Sequence, residues 1–162
     1  MRQKALFLDR DGVINHDPGD YTKSLDEFHL LPGALETMKA WYDRGYKLVV
    51  ITNQAGLDKG LYTQDDVEQI HQFLQGRCVA MGFRIEECLY CPHHEGRSGR
   101  CLCRKPGSLL IERALHRYGL DPAQSLMMGD KPRDVEAAEK AGIQGLLIPV
   151  NEGPLRPEML GL

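Results

Sequence analysis

Apolar residues along this chain recur in two different periods, and the two alternate. Short unbroken runs such as Ala5-Leu6-Phe7-Leu8 and Leu48-Val49-Val50-Ile51 are each followed at once by polar residues. Runs of this length and composition predict strands buried on both faces. Between them apolar residues return every three or four positions: Leu35, Met38 and Tyr42; Val67, Ile70 and Leu74; Ile111, Leu115 and Tyr118. That spacing predicts helices laid against a core. Strands are expected at about Lys4–Leu8, Lys47–Thr52, Glu87–Cys91, Ser125–Gly129 and Gly145–Pro149. Helices are expected near Gly33–Arg44, Thr63–Met81, Ser108–Tyr118 and Pro132–Ala141. Thr63 with Asp65 and Asp66 suits a helix start, and Gly45, Gly82, Gly119 and Gly142 stand where helices should end. The alternation predicts an α/β fold over residues 1–162 as one domain, a doubly wound parallel sheet with helices on both faces.

Polar residues follow the strands in a repeated manner. The first strand runs into Asp9 and Asp11, then Gly12. In an open parallel sheet, reactive groups sit just beyond the carboxyl ends of the strands. Two carboxylates at one strand tip repel each other, and a cation relieves this. The second strand delivers Thr52, Asn53 and Gln54; the Thr52 hydroxyl with the next two backbone N–H groups could cradle a phosphate. The fourth delivers Asp130, placed to share a cation with Asp9, and then Asp134 in the first turn of a helix. Each of these stretches is also an ordinary turn, so the repetition is what points to a site.

The third strand ends in Cys91-Pro92-His93-His94, and Cys101-Leu102-Cys103 follows a short polar loop. Three thiols and an imidazole converging on a loop with no apolar core of its own are expected to form a tetrahedral zinc site with no open position. Spacing leaves His93 and His94 as alternatives. Arg104 and Lys105 come next, held between Cys103 and Pro106. Two cations so tethered beside a strand tip are more than a solvated pair.

Composition narrows the possibilities. The five cysteines are an odd number, and no apolar stretch is long enough for a signal-peptide core or a membrane span, so a cytoplasmic protein without disulfides is expected. The net charge of −3 provides no general field for nucleic acid.

Asp9-x-Asp11-Gly12, Thr52, Lys105 and Gly129-Asp130-x-x-x-Asp134 stand in the order of the four motifs of the haloacid dehalogenase-like phosphatases. The chain resembles that family over nearly its whole length. The stretch Asp9-Arg10-Asp11-Gly12-Val13-Ile14-Asn15 and the zinc loop through Cys103-Arg104-Lys105-Pro106 are similar to those of two groups. These are the bacterial D-glycero-D-manno-heptose 1,7-bisphosphate phosphatases and the histidinol-phosphate phosphatases, which carry a zinc loop and lack a large cap. The resemblance implies a Rossmann-like, capless fold and a Mg²⁺-dependent phosphatase working through an aspartyl-phosphate. It implies that Asp9 is the nucleophile and that Asp11 is the general acid and base. Thr52 and Lys105 would hold the phosphoryl oxygens. Mg²⁺ would be held by Asp9, the Asp11 carbonyl and Asp130, with Asp134 orienting Lys105 or a metal-bound water. Structural Zn²⁺ would be held by Cys91, His93, Cys101 and Cys103. Asn15, Asp17, Asn53, Gln54 and Lys131 would contact the substrate, and Arg104 would be free to grip a second phosphate.

The expected substrate is a small phosphorylated sugar, a heptose 1,7-bisphosphate losing its 7-phosphate, and the expected state is a monomer. Histidinol phosphate is the alternative, with Asp17, Asp20 or Glu95 turned to its amine; the zinc loop is nearer that type in length. A zinc-knuckle nucleic-acid module and a DNA 3′-phosphatase are more distant readings. With 7% aromatic residues and no basic stripe, both stacking and phosphate contacts would be scarce.

Overall fold

The computed structural model describes residues 2–162. Its order is β1 (Ala5–Leu8), α1 (Ala34–Asp43), β2 (Lys47–Asn53), α2 (Gln64–Ala80), β3 (Glu87–Cys91) and α3 (Glu95–Ser98). There follow α4 (Leu109–Arg117), β4 (Leu126–Gly129), α5 (Pro132–Lys140) and β5 (Gln144–Leu147), with short 3₁₀ turns at Leu25–Glu27, Pro122–Gln124 and Pro157–Leu160. All neighbouring strands pair in parallel, in the order β3-β2-β1-β4-β5.

Successive residues of a strand point to opposite faces, and in β1, β2 and β4 both faces are buried. Leu6, Leu8, Leu48, Val50, Leu126 and Met128 pack with Leu35, Met38 and Trp41 of α1 and Ile70 and Leu74 of α2. Ala5, Phe7, Val49, Ile51 and Met127 pack with Leu110, Ile111 and Ala114 of α4 and Ala137 and Ala138 of α5. This double burial is why the runs carry no polar alternation. Asp66 and Thr63 close a reciprocal capping box at the start of α2, and Gly45, Gly82, Gly119 and Gly142 all take positive φ just past helices.

Three local expectations are corrected. The last strand is Gln144–Leu147 rather than Gly145–Pro149, because its register is set by pairing with β4, Leu126 to Gln144 through Gly129 to Leu147. The stretch expected as a plain loop after His94 contains the helical turn α3. Asp58, from the connection after β2, accepts from the His94 N–H at 2.8 Å and from the Ser98 hydroxyl, which holds that turn at both ends. Tyr42 and Tyr118 lie at the edge of the two cores, partly buried, rather than inside them.

β2 and β4 flank β1, and the chain leaves them in opposite directions, so a crevice opens over their carboxyl ends. The stretch 9–33 above it holds only one 3₁₀ turn, and among the described residues no cap covers the crevice. No helix among the described residues is long and apolar enough to cross a membrane.

Candidate active site

Asp9 leaves β1 at its carboxyl end, its backbone N–H donating to the Met128 carbonyl of β4 at 3.1 Å. The chain then doubles back: the Arg10 carbonyl accepts from the N–H groups of Val13, Ile14 and Asn15. Gly12 permits this turn with φ of +87°, and a Cβ there would strike the Asp130 carboxylate. The first motif and the tip of β4 are therefore packed against each other with no room to spare.

One oxygen of Asp9 is held. Oδ1 accepts from its neighbour's backbone N–H at 2.9 Å and from the Lys105 ammonium at 2.9 Å, whereas Oδ2 carries no hydrogen bond among the described residues. Lys105 is 2% exposed, and its ammonium also meets the Ile51 carbonyl and Asp134 Oδ1, both at 2.7 Å. Burial works against the lysine charge, but Asp9 and Asp134 more than compensate, so its pKa lies above the ordinary lysine value. Burial pushes the Asp9 carboxyl up to about 7; Lys105 opposes this, and Asp134 and Asp11 add to it. One ammonium among these carboxylates leaves an excess of buried negative charge.

Asp130 makes that excess concrete. Its side chain is fully buried, neither oxygen accepts a hydrogen bond, and the Lys131 ammonium stands 3.4 Å from Oδ2. A buried carboxylate that accepts no hydrogen bond and has only a partly exposed lysine beside it is costly. Carboxylate oxygens of Asp9, Asp130 and Asp134 lie within 4.8 Å of one another, a set of hard donors that fits a magnesium ion.

Asp11 has the opposite environment. Arg10 grips it with two nitrogens, Nε to Oδ1 at 3.0 Å and Nη2 to Oδ2 at 3.2 Å. Asn15 Nδ2 donates to Oδ1 at 2.9 Å and Gln54 Nε2 to Oδ2 at 3.2 Å. Burial alone would raise this carboxyl, but Arg10 and these donors outweigh it and hold the pKa below the usual carboxylate range.

The other expected residues divide between the crevice and its supports. Asp9, Asp11, Asp17, Thr52, Asn53, Asp130 and Lys131 line the crevice, joined by Asp20, Tyr21 and Arg133. Asn53 also clamps the Lys105 peptide, accepting from its N–H at 3.0 Å and donating to its carbonyl at 3.2 Å. Asn15 and Gln54 are buried and lie behind the lining, as donors to Asp11. The Gln54 amide also donates to the Thr52 hydroxyl at 2.9 Å and accepts from Tyr62 at 2.6 Å. The backbone N–H of Gln54 is engaged by the Cys91 carbonyl at 2.8 Å, so the expected phosphate cradle of two N–H groups loses one member. Arg104 lines a different hollow, with Arg100, Lys140 and Glu95.

Of the residues not foreseen, Arg133 had a signal: a cation in the first turn of a helix opposes the dipole, and such a local conflict often marks function. Its Nε is buried without a hydrogen-bond partner. Arg10 lay in plain view between two site acids. Tyr21 had no signal.

Beyond β3, donor atoms of Cys91, His93, Cys101 and Cys103 lie within 4.8 Å of one another. Cys91 Sγ is 3.0 Å from Cys103 Sγ and 3.6 Å from Cys101 Sγ, and His93 Nδ1 is 3.2 Å from Cys103 Sγ. Three sulfurs and one imidazole nitrogen so gathered are a donor set that fits zinc. His94 is turned away: its Nδ1 accepts from the Gly96 N–H at 3.2 Å, capping α3. Burial raises the Cys101 thiol, but the Arg104 N–H and neighbouring thiols outweigh it and bring the pKa to about 7, nearer the thiolate that a metal needs.

A parallel sheet that sets Asp9 at the tip of its central strand, Asp130 at the tip of the neighbouring strand and a buried Lys105 against Asp9 defines a phosphoryl-transfer hydrolase. The HAD-hydrolase-like family model matches residues 102–159. The D-glycero-beta-D-manno-heptose-1,7-bisphosphate 7-phosphatase of Haemophilus ducreyi is 37% identical over 149 residues, 89% of this chain and 81% of that one. Its counterpart in Helicobacter pylori is 39% identical over 154 residues, 94% and 87% of the two chains. The crystal structure of D,D-heptose 1,7-bisphosphate phosphatase from B. bronchiseptica, complexed with magnesium and phosphate, superposes with a TM-score of 0.83 at 35% identity, covering 89% of this chain and 79% of that one. The chain belongs to the haloacid dehalogenase-like phosphatases, among the relatives of the heptose bisphosphate enzymes, and is a phosphoric monoester hydrolase.

Proposed function

We propose that this chain removes the 7-phosphate from D-glycero-D-manno-heptose 1,7-bisphosphate through a phosphorylated Asp9. One observation carries the mechanism: Asp9 presents one unbonded oxygen to the crevice, while Lys105 and a backbone N–H hold the other. The substrate is supported by the likeness to the heptose enzymes over most of the chain.

Asp9 Oδ2 attacks phosphorus, and the alcohol leaves on the opposite side. Asp9, the Asp11 carbonyl and Asp130 would hold Mg²⁺, which when bound offsets the repulsion between a carboxylate and a phosphate dianion. Lys105 and the Thr52 hydroxyl stabilise the phosphoryl oxygens as charge develops, and Asp134 keeps Lys105 in place. Asp11 gives a proton to the departing oxygen and then takes one from the water that cleaves the aspartyl-phosphate. The donors around Asp11 favour its ionised form, the form needed in the second step, and the phosphate dianion brought beside it favours the protonated form needed in the first. Cys91, His93, Cys101 and Cys103 would hold Zn²⁺, which ties the end of β3 to the segment bearing Lys105.

For the second phosphate, Arg133 and Lys131 are the cations that line the crevice. The arginine fork suits phosphate, and Arg133 takes the role that the sequence suggested for Arg104. Histidinol phosphate remains as a second reading because Asp17 and Asp20 also line the crevice and could meet its amine.

The deciding experiment compares kcat/KM for the heptose bisphosphate and histidinol phosphate with Mg²⁺, in the unmodified protein and in Arg133→Ala. The bisphosphate should be preferred, and its lead should shrink in the variant. Better turnover of histidinol phosphate by the unmodified protein would overturn the substrate. Normal turnover by a folded Asp9→Asn protein would overturn the mechanism.

A further inference from the structure

Arg10 is a fully buried guanidinium whose role is not exhausted by its grip on Asp11. Its outer nitrogen, Nη1, points away from the crevice and meets His71 Nε2 at 3.2 Å. An arginine can only donate, so Nε2 must be the bare, accepting nitrogen of a neutral ring. The Phe28 ring lies 5.8 Å from the guanidinium carbon. His71 itself is buried on α2 between Ile70 and Leu74 positions of the core, beside the Tyr90 ring, and does not line the crevice. A histidine on the apolar face of a helix is ordinarily satisfied by a nearby backbone group. This one accepts from the same arginine that grips Asp11 with Nε and Nη2.

The guanidinium is planar and rigid, so whatever holds Nη1 sets the direction of Nε and Nη2. We infer that His71 is a positioning residue for the acid–base step, acting through Arg10 to hold Asp11 at the angle from which it reaches the leaving oxygen. This rests on the acid–base role proposed above for Asp11. Without the acceptor, the guanidinium keeps its charge and its pairing with Asp11 but loses the contact that orients its plane. Phosphoryl transfer to Asp9 then proceeds with a poorly aimed proton donor.

The consequence depends on the leaving group. A nitrophenolate departs without help, whereas a phenol or alcohol of high pKa needs the proton. The test is a series of aryl phosphates of graded leaving-group pKa, measured as kcat/KM, which reports events only up to the first irreversible step. His71→Leu should lower kcat/KM by roughly 10–10²-fold for the poorest leaving groups and by about 3-fold or less for nitrophenyl phosphate. The slope on leaving-group pKa thus steepens. His71→Gln, whose amide oxygen can accept from Nη1, should restore the shallower slope. A merely structural role would lower every member of the series equally. A slope in folded His71→Leu that equals or is shallower than that of the unmodified protein overturns the inference.

Should His71→Leu not fold, His71→Phe keeps a ring beside Tyr90 and takes its place. In the unmodified protein, ¹⁵N NMR provides an independent measurement. It should show Nδ1 protonated and Nε2 bare, and a proton on Nε2 would overturn the inference. If the unmodified protein hydrolyses neither an aryl phosphate of the series nor the heptose bisphosphate, the proposed mechanism fails and this inference with it. Hydrolysis with an unaltered slope in the variant sinks this inference alone.

Discussion

Lys105 and Asp9 stand 96 positions apart in the chain and meet as an ion pair of 2.9 Å at the floor of the crevice. Lys105 is also the counter-charge of Asp134 at 2.7 Å. Removing one partner of a buried pair strands the other, at a cost of about 3–5 kcal/mol. Lys105→Met should therefore lower the unfolding free energy by roughly that amount as well as abolish turnover. Adding Asp134→Asn should recover part of the stability and none of the activity. Urea unfolding of the single and double variants is the measurement, and additive losses would show that the two residues are not coupled.

Asp11→Asn should cost roughly 10²–10⁴ in kcat, as expected for loss of a general acid and base. Magnesium affinity should change little, because Asp11 contributes its carbonyl. Stability should fall too, since fully buried Arg10 loses its charged partner. Turnover and Mg²⁺ titration on the same preparation check both statements. A loss of metal affinity larger than the loss of rate would reassign the residue.

Zinc analysis of the purified protein should find one ion per chain. His93→Ala should lose it, and His94→Ala should keep it while loosening α3, because His94 caps that turn. Chelation should expose residues 95–100 to proteolysis and lower activity by displacing Lys105.

The His71 contribution to stability should be lost in mild acid. Burial, with Arg10 beside it, depresses the folded pKa of this ring to about 3, against an ordinary value of 6.5. Between those values the unfolded chain binds a proton that the folded chain does not, so stability rises with pH across that window. Going from neutrality to pH 5 should remove about 2 kcal/mol of the His71 contribution, while Asp9, raised to about 7, acts in the opposite sense whether or not His71 is present. Over this interval His71→Gln, which cannot titrate, should therefore keep about 2 kcal/mol more of its stability than the unmodified protein does. Urea midpoints at pH 7 and pH 5 for both proteins decide this.

Much of this fold could be read from the chain because it rests on local causes. Unbroken runs such as Leu48–Ile51 signal strands covered on both sides, and the spacing of Val67, Ile70 and Leu74 signals a helix on a core. The acids at strand tips were visible for the same reason: Asp9 and Asp130 each directly follow the strand that presents them. The cluster of Cys91, Cys101 and Cys103 needed only short chain separations. What tertiary structure alone decided were relations between distant segments. Strand order, and hence which tips share a crevice, depends on pairing across the sheet. The orientation of an arginine is not encoded by its neighbours, so Arg104 lines a hollow with Arg100 and Lys140 while Arg133 lines the crevice. That His93 rather than His94 lies beside the three thiols depends on Asp58, 36 positions from His94, which anchors the turn that His94 caps. The contact from His71 through Arg10 to Asp11 likewise exists only because α2 packs beneath the first motif. Packing brings those side chains together, and no periodicity in the chain announces it.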